Sequence, residues 1–570
     1  MELFFFFILI FITISLGIVL SEKSILIKDN ALFYNKISTS YFIGIAFYIV
    51  TLKSYYFIFK DLRLSNILTI LTVILILALK KKNLVKFFFK YKVFFSLKKI
   101  IFNFLIIASL SFFVFSVWFD EKYYFPEYLN SVGSLHSLKY AWLSNFINTC
   151  NFIPTLGQNT GQSILTYFTG FVFNDPKPHL YLHLWLIFSL YFLSIYFFSF
   201  LREYFFLKKN ISLLGVFFIM FGGTALSFTH ILVIDSGSPL ILNGYSDTLF
   251  GIFSLIVAYN IFANVKESKK LLVTDIFLIL LLLGGNFFMA PQNIIFFLGC
   301  LPFFLFDNST KLNLRKKFLV IFIISLVYFV PQGGMLTPSL FQDNIKRPEL
   351  LTLSSKATTN KHKEFAQQKY FIQEGIIVFP GYPFFYDGMQ AWKPGQYSLI
   401  QEALLMKKNL SENFYSFIWI IEKIFINSLI VLFFPILGLV LIVYWHQMFK
   451  KNSNKFYKKK RVSFLINYTG LAFVFGVCFT FFFSFNGYKW ELSRFMIPFI
   501  TLGMITCFIA LSNLLKFSKI FLILIFFSVT GPLFSQGLKS QKNILNIQQE
   551  KINLFLSSSQ KQSKSICFIN

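Results

Sequence analysis

The sequence is poor in charge, and in acidic residues above all. Charged residues make up 14% of the 570 residues, and 24 Asp and Glu stand against 53 Lys and Arg. The five cysteines lack the paired spacing of zinc and iron–sulfur sites. A Gly-rich phosphate loop, a nucleophile elbow and a CxxC pair are also missing. These absences argue against a cysteine-based metal centre, a disulfide framework and cytosolic nucleotide chemistry.

The sequence is instead rich in apolar and aromatic residues. Hydrophobic residues account for 56% of the chain and aromatic residues for 21%, with a mean hydropathy of +0.66. This composition is typical of a polytopic membrane protein. The net charge of +29 does not indicate a nucleic-acid partner, because the bases lie in short loops between apolar runs. A nucleic-acid surface would be one basic patch with stacking aromatics.

The apolar runs predict an all-α membrane protein. Because a span needs about 20 apolar residues, we predict roughly 11–14 transmembrane helices. The candidate spans lie near 2–20, 41–59, 64–79, 100–118, 180–201, 211–233, 248–264, 271–289, 293–306, 317–331, 424–446, 463–484, 495–514 and 519–535.

Loop charges predict how these spans are oriented. Bases concentrate in the loops 80–99, 202–210, 265–270, 307–317, 447–462 and 515–518. The alternate loops carry few bases or mixed charge: 119–179, 234–247, 290–292, 332–423 and 485–494. The positive-inside rule puts the first set in the cytoplasm and the second on the outer face. Three spans before residue 80 would put the N-terminus outside.

The same pattern divides the chain into five regions. We predict N-terminal transmembrane helices with a basic cytoplasmic loop, a transmembrane core with a long outer loop at 119–179, an extracytoplasmic cap of mixed fold, C-terminal transmembrane helices and a mobile or loosely bound polar tail: 1–99, 100–331, 332–423, 424–535 and 536–570. Within the first outer loop, Ser163–Phe173 is too short to span, so we expect it to lie in the interface or to re-enter.

An acidic pair is the strongest indication of chemistry. Asp120 and Glu121 directly follow the apolar run 100–119, which begins behind the basic stretch 80–99. They are therefore predicted to emerge on the outer face at the water boundary. A general base, or a carboxylate that binds Mg²⁺ or Mn²⁺, suits such a place. The alternative is that the acids merely mark the watery end of a helix.

Five further residues are candidates for binding a substrate. Asp247 lies at the outer mouth of a span, either facing the same cavity or capping a helix. His179 and His183 are four apart on one helix face, a spacing that suits a metal, a lipid phosphate or simple interfacial hydrogen bonds. Arg494 is suited to a phosphate or sugar, or to a structural pair with Glu491.

Three segments carry a resemblance to the GT-C superfamily of membrane glycosyltransferases. WFDEKYYFPEYLNSV (118–132) resembles the family's acidic marker in the first outer loop, NGYSDTLFGIF (243–253) its second outer acid, and WELSRFMIPF (490–499) a late helix start. The resemblance in layout covers 100–515. It implies that Asp120 is the catalytic acid with Glu121 beside it, and that Asp247 is the second outer acid.

The same resemblance implies a function. Members of this family use a lipid-linked sugar donor. The resemblance therefore implies a hexosyltransferase similar to the mannosyltransferases, with a polyprenyl-phosphate sugar as donor. Its acceptor would be a glycan, a lipid or a protein, and membrane lipids would surround it. We expect it in a bacterial inner (plasma) membrane with its active face outward, where Arg494 and His179 would hold the donor phosphate.

Two other classes stay open. A polysaccharide polymerase or ligase also has many spans and a large outer loop, but it relies on outer Arg and His residues such as Arg347 and His362. A lipid or solute transporter would show repeat-related halves and charged or broken spans. Loss of activity on mutation of Arg347 or His362, but not of Asp120, would indicate the polymerase or ligase. Flux without sugar transfer would indicate the transporter.

Overall fold

The computed structural model describes part of the chain: residues 2–24, 26, 33–59, 62–91, 161–173, 178–204, 207–221, 257, 261, 271–289, 313–329, 371–373, 376–379, 505, 508–509, 512 and 566–568. These ranges contain the helices α1 (Glu2–Ser21), α2 (Phe33–Phe59), α3 (Leu62–Leu79), α4 (Lys81–Lys90), α5 (Gly161–Phe173), α6 (Pro178–Tyr204), α7 (Lys209–Phe221), α8 (Val273–Met289) and α9 (Leu314–Phe329). The predicted spans 100–118, 293–306, 424–446, 463–484 and 519–535 lie outside the described residues.

The prediction of helices is confirmed in the described ranges between residues 2 and 329. Two helices are long and apolar enough to cross a membrane, over Phe4–Ser21 and Phe33–Tyr55. A third candidate is α3 together with α4, two helices that meet at a bend of 66°. The described part of the protein is therefore helical and carries two or three helices suited to a membrane.

Helix α2 begins at Phe33, well before the predicted start at 41. Its first turns contain several polar residues, and hydropathy alone therefore starts the span only after them. The polar groups are satisfied within the helix: Ser38 Oγ donates to the Tyr34 carbonyl at 2.8 Å, and Thr39 Oγ1 to Asn35 Oδ1 at 3.0 Å. Internal hydrogen bonds thus allow polar residues to continue an apolar helix.

Helices α1 and α2 cross with their backbones in close contact. A Cβ added at Gly17 would overlap the Ser40 carbonyl oxygen, and one at Gly44 would overlap the Thr13 carbonyl oxygen. Small residues at a helix crossing permit this approach. Inside a bilayer, the resulting van der Waals contacts stabilise the helix pair, because the hydrophobic effect does not act between helices there. The two glycines therefore set the distance between α1 and α2.

Helix α2 is the centre of the described bundle, and it packs against α1, α3, α6 and α8. Its contact with α6 is partly polar: the hydroxyls of Tyr41 and Ser189 lie 3.0 Å apart and both residues are buried. The Tyr41 ring also stacks on Phe192 at 4.2 Å. Such buried pairs fix the register of two helices whose apolar faces alone would slide.

Three short strands form one sheet. Strands β1 (Phe371–Gln373) and β2 (Ile376–Phe379) are antiparallel, with Ile372 opposite Ile377. Strand β3 (Ile566–Phe568) pairs with β2 in parallel. The regions predicted as cap and tail therefore both contribute to this sheet.

Candidate functional site

The structure describes one part of the predicted site. Asp120, Glu121, Asp247, Glu491 and Arg494 lie outside the described residues. The two histidines, His179 and His183, lie in the first two turns of α6, and their spacing of four places them on one helix face as predicted. The contacts that hold the start of α6 are therefore the part of the candidate site that the structure shows.

Helix α5 packs on the bundle through a buried face. Leu165, Phe168 and Thr169 are all 2% exposed or less, and the Phe168 ring stacks on Tyr48 of α2 at 4.8 Å. A helix of 13 residues is about 20 Å long, whereas the hydrocarbon core is about 30 Å thick. The helix is therefore too short to span, and its packing agrees with either alternative for this segment, a position in the interface or a re-entrant helix.

Helices α5 and α6 form an antiparallel hairpin. The Trp185 indole N–H donates to Thr169 Oγ1 at 2.8 Å, with both residues buried. Nearer the turn, Phe173 and Tyr181 lie 5.5 Å apart, and Phe173 lies 6.4 Å from Phe5 of α1. We call the residues Phe5, Phe173 and Tyr181 the aromatic end of the bundle. It contains the start of α6 and therefore the two histidine positions.

The described side chains in the first turns of α6 are buried. Tyr181, Trp185 and Phe188 share the buried face, where Phe6 of α1 lies 5.1 Å from Trp185 and 5.5 Å from Phe188. On a helix of 3.6 residues per turn, positions 179 and 183 fall about half a turn away from this face.

The buried hydrogen bond between α5 and α6 gives a stability prediction. Thr169→Val leaves the Trp185 N–H buried without an acceptor, so we expect a loss of about 1 kcal/mol of stability. Thr169→Ser retains the hydroxyl and should behave as wild type. Thermal unfolding of the detergent-solubilised protein compares the three; equal melting temperatures for the Val and Ser variants would show that the bond does not hold α5 in place.

The opposite end of the bundle is held by polar contacts. The side-chain amide of Asn83 in α4 donates to the Glu22 carboxylate just beyond α1, and that of Asn35 in α2 donates to Glu203 of α6 at 2.9 Å. Ser24 Oγ donates to Asp275 Oδ1 of α8 at 2.8 Å. These bonds join the ends of α1 and α6 to the starts of α2, α4 and α8.

Basic residues lie at the same helix ends as these polar contacts. The described helix ends and the residues next to them carry Lys23, Lys36, Lys80, Lys81, Lys82, Arg202, Lys208 and Lys209. Lys36 also lies over the ring of Tyr91, which follows α4, at 5.9 Å. We call this the basic end of the bundle. The described residues of two loops that were both predicted to be cytoplasmic, 80–99 and 202–210, thus lie at one end of the described helices.

Asp275 has a structural role at the basic end. It is fully buried, and its second carboxylate oxygen accepts the backbone N–H of Leu272 at 2.7 Å. An acid three residues into a helix that bonds back to the cap residue satisfies one of the free N–H groups there. Ser24 donates to the other oxygen, so Asp275 links the segment just beyond α1 to the start of α8.

Sequence reasoning did not find these polar links. In the sequence, Ser24, Asn35 and Thr169 are isolated polar residues, and nothing distinguishes a buried partner from a solvated one. The one indication in the sequence was that each of these polar residues lies inside an apolar run or near its end. An unsatisfied polar group is costly there, so a hydrogen-bond partner could be expected but not identified. Within the described ranges, His, Cys, Asp and Glu residues do not come together in a group of three that would hold a metal ion.

Comparison with protein-family models, with curated proteins and with solved structures gives no match for this chain. The indications of function are therefore the chain's own residues: the predicted outer acids and the two ends of the described bundle.

Proposed function

We propose that this protein is a multi-pass glycosyltransferase of the GT-C type in a bacterial plasma membrane, transferring a hexose from a polyprenyl-phosphate donor on the outer face. The observation that carries the proposal is the sequence of the acidic pair, Asp120-Glu121, at the end of an apolar run with a basic stretch before it. The pair begins the segment that resembles the family's marker. A carboxylate at such a boundary stays ionised and meets substrates that arrive from the lipid.

The two ends of the bundle support the outward orientation. The positive-inside rule assigns the basic end to the cytoplasm, so the aromatic end is the outer one. His179 then lies on the face where loop charge predicts Asp120. In this arrangement α1 runs from the outer face inward, which agrees with three spans before residue 80.

The proposed reaction replaces the bond from the sugar to the lipid phosphate with a bond from the sugar to the acceptor, and one proton moves to Asp120. Asp120 accepts the proton of an acceptor hydroxyl, whose oxygen then attacks the anomeric carbon of the sugar. The bond from that carbon to the lipid phosphate oxygen breaks, and the polyprenyl phosphate leaves. Arg494 and His179 would hold this phosphate, since charge grows on it during transfer. Glu121 and Asp247 would orient the acceptor, or hold Mg²⁺ or Mn²⁺ beside the phosphate.

The activity itself is the first test. The purified chain is reconstituted in proteoliposomes with polyprenyl-phosphate sugars carrying tritiated mannose or glucose, with an extract of bacterial envelope glycans as acceptor source. We expect the label to move from the lipid fraction to the acceptor fraction as polyprenyl phosphate is released. The assay is repeated with EDTA, which stops transfer if a divalent metal takes part.

Two other outcomes would favour the rival functions. Growth of glycan chains that depends on Arg347 or His362 but not on Asp120 would identify a polymerase or ligase. Movement of labelled lipid between leaflets, with the sugar still attached, would identify a transporter. Either result would replace the proposed function.

A further inference from the structure

Helix α4 has the form of a helix that lies along a membrane surface. It turns away from α3 by 66° and carries lysines at every fourth position, Lys82, Lys86 and Lys90, all exposed. Three charges at this spacing along one face cannot enter hydrocarbon without a large cost, which favours the interpretation that α3 alone forms the third candidate span and that α4 lies outside it. The bend therefore marks the place where the chain leaves the apolar layer.

The other face of α4 is apolar and docked. The Phe88 ring stacks on Phe11, which lies well inside α1, at 5.4 Å. Phe87 lies 6.4 Å from Phe33 at the start of α2, and Tyr91 lies 5.1 Å from the same ring. An apolar face docked on the bundle and a row of exposed lysines, of which Lys90 also lies over the Tyr91 ring at 5.7 Å, are the two features of an interfacial amphipathic helix.

Two apolar side chains of α4 are not covered by the described part of the protein. Phe89 is 72% exposed and Val85 is 42% exposed, and both lie next to lysines in the sequence. An exposed aromatic ring beside a row of ammonium groups suits the headgroup layer, where the ring meets acyl chains and the lysines meet phosphates. The charge of the helix selects among lipids, because α4 has no acidic residue to offset its lysines.

We propose that α4 is a binding surface for anionic phospholipid headgroups, with Lys82, Lys86 and Lys90 contacting the phosphates and Phe89 inserted beside them. The surface belongs to the basic end of the bundle, where Lys23 and Lys36 add to the same field. This inference does not depend on the proposed transferase activity. It depends on the bend, the lysine spacing and the exposed ring.

The test places a photoreactive p-benzoylphenylalanine at position 89 of the full chain. The protein is reconstituted in nanodiscs of equimolar phosphatidylglycerol and phosphatidylcholine, each tritiated in turn, and irradiated. We expect crosslinks to phosphatidylglycerol to exceed those to phosphatidylcholine at least about five-fold, the factor that one lysine near an anionic surface supplies. High salt should reduce the excess.

Matched variants separate this site from general charge. The triple variant Lys82→Gln, Lys86→Gln, Lys90→Gln should bring the two crosslink yields close to parity, and the corresponding triple Arg variant should keep the excess. Lys539→Gln, Lys542→Gln, Lys551→Gln removes three charges from the predicted tail and should change nothing. Lys86→Gln alone should give a partial loss, which covers the case in which the triple variant fails to fold.

Three results would overturn the proposal. They are equal crosslinking to both lipids in the unaltered helix, an excess that persists in the triple Gln variant of α4, and a crosslink to a protein in place of lipid when membranes from expressing cells are irradiated. The last would identify α4 as a protein-docking surface.

Discussion

Asp120→Asn is expected to lower the rate of sugar transfer at least about 100-fold, because a general base contributes 10²–10⁴-fold to such reactions. Asn has nearly the same size and accepts hydrogen bonds, but it cannot take up the acceptor's proton. Binding of the lipid donor should change little, since Asp120 acts on the acceptor. Release of polyprenyl phosphate and retention of labelled donor, measured in the same proteoliposomes, separate the two effects.

The chain offers controls for this variant in the same loop. Glu127→Gln removes an acid seven positions beyond Asp120 and should leave transfer near the wild-type rate. Glu121→Gln should give an intermediate loss if the neighbour only orients the acceptor. Full transfer by both the Asp120→Asn and the Glu121→Gln proteins would remove the basis of the proposed function.

The second large effect concerns stability. Gly17→Ala should lower the melting temperature of the detergent-solubilised protein, because the added Cβ overlaps the backbone carbonyl of Ser40. A backbone atom cannot rotate away, so α1 and α2 must separate. Overpacking of this kind costs about 1–3 kcal/mol. Alanine gains about 1 kcal/mol in helix propensity over glycine, which reduces the net effect without reversing it.

Gly284→Ala is the matched control for this packing effect. Its added Cβ would lie 3.0 Å from Cγ2 of Val50, a side-chain methyl group that can move. The gain in helix propensity then outweighs the cost of the contact, and we expect an unchanged or higher melting temperature. Equal melting temperatures for the Gly17→Ala and Gly284→Ala proteins would contradict the close crossing of α1 and α2.

Much of the local structure could be predicted from the sequence. Apolar runs of the right length predicted α1, α3, α6, α8 and α9 close to their observed positions, because burial in a membrane requires little more than apolar length. The predicted start of α2 was wrong for a physical reason. Its polar residues bond within the helix and to Glu203 of α6, which is far away in sequence.

The candidate site was less accessible to prediction. The spacing of His179 and His183 correctly predicted a shared helix face, since that follows from local periodicity. The packing of α5 could not be predicted, because its partners Tyr48 and Trp185 belong to other helices. The meeting of Asp120, Asp247 and Arg494 around one cavity stays a prediction, because it depends on spans outside the described residues.

The most direct test of the central claim is the position of a bound donor in an experimental structure. The protein is prepared with a polyprenyl-phosphate sugar, and the distance from the anomeric carbon to the nearest Asp120 carboxylate oxygen is measured by cryo-electron microscopy. We predict a donor at the aromatic end, with room for one acceptor hydroxyl between the two atoms and therefore a separation of roughly 5–6 Å, two hydrogen-bond-range contacts. A donor phosphate bound at the basic end, far from Asp120, would contradict the account.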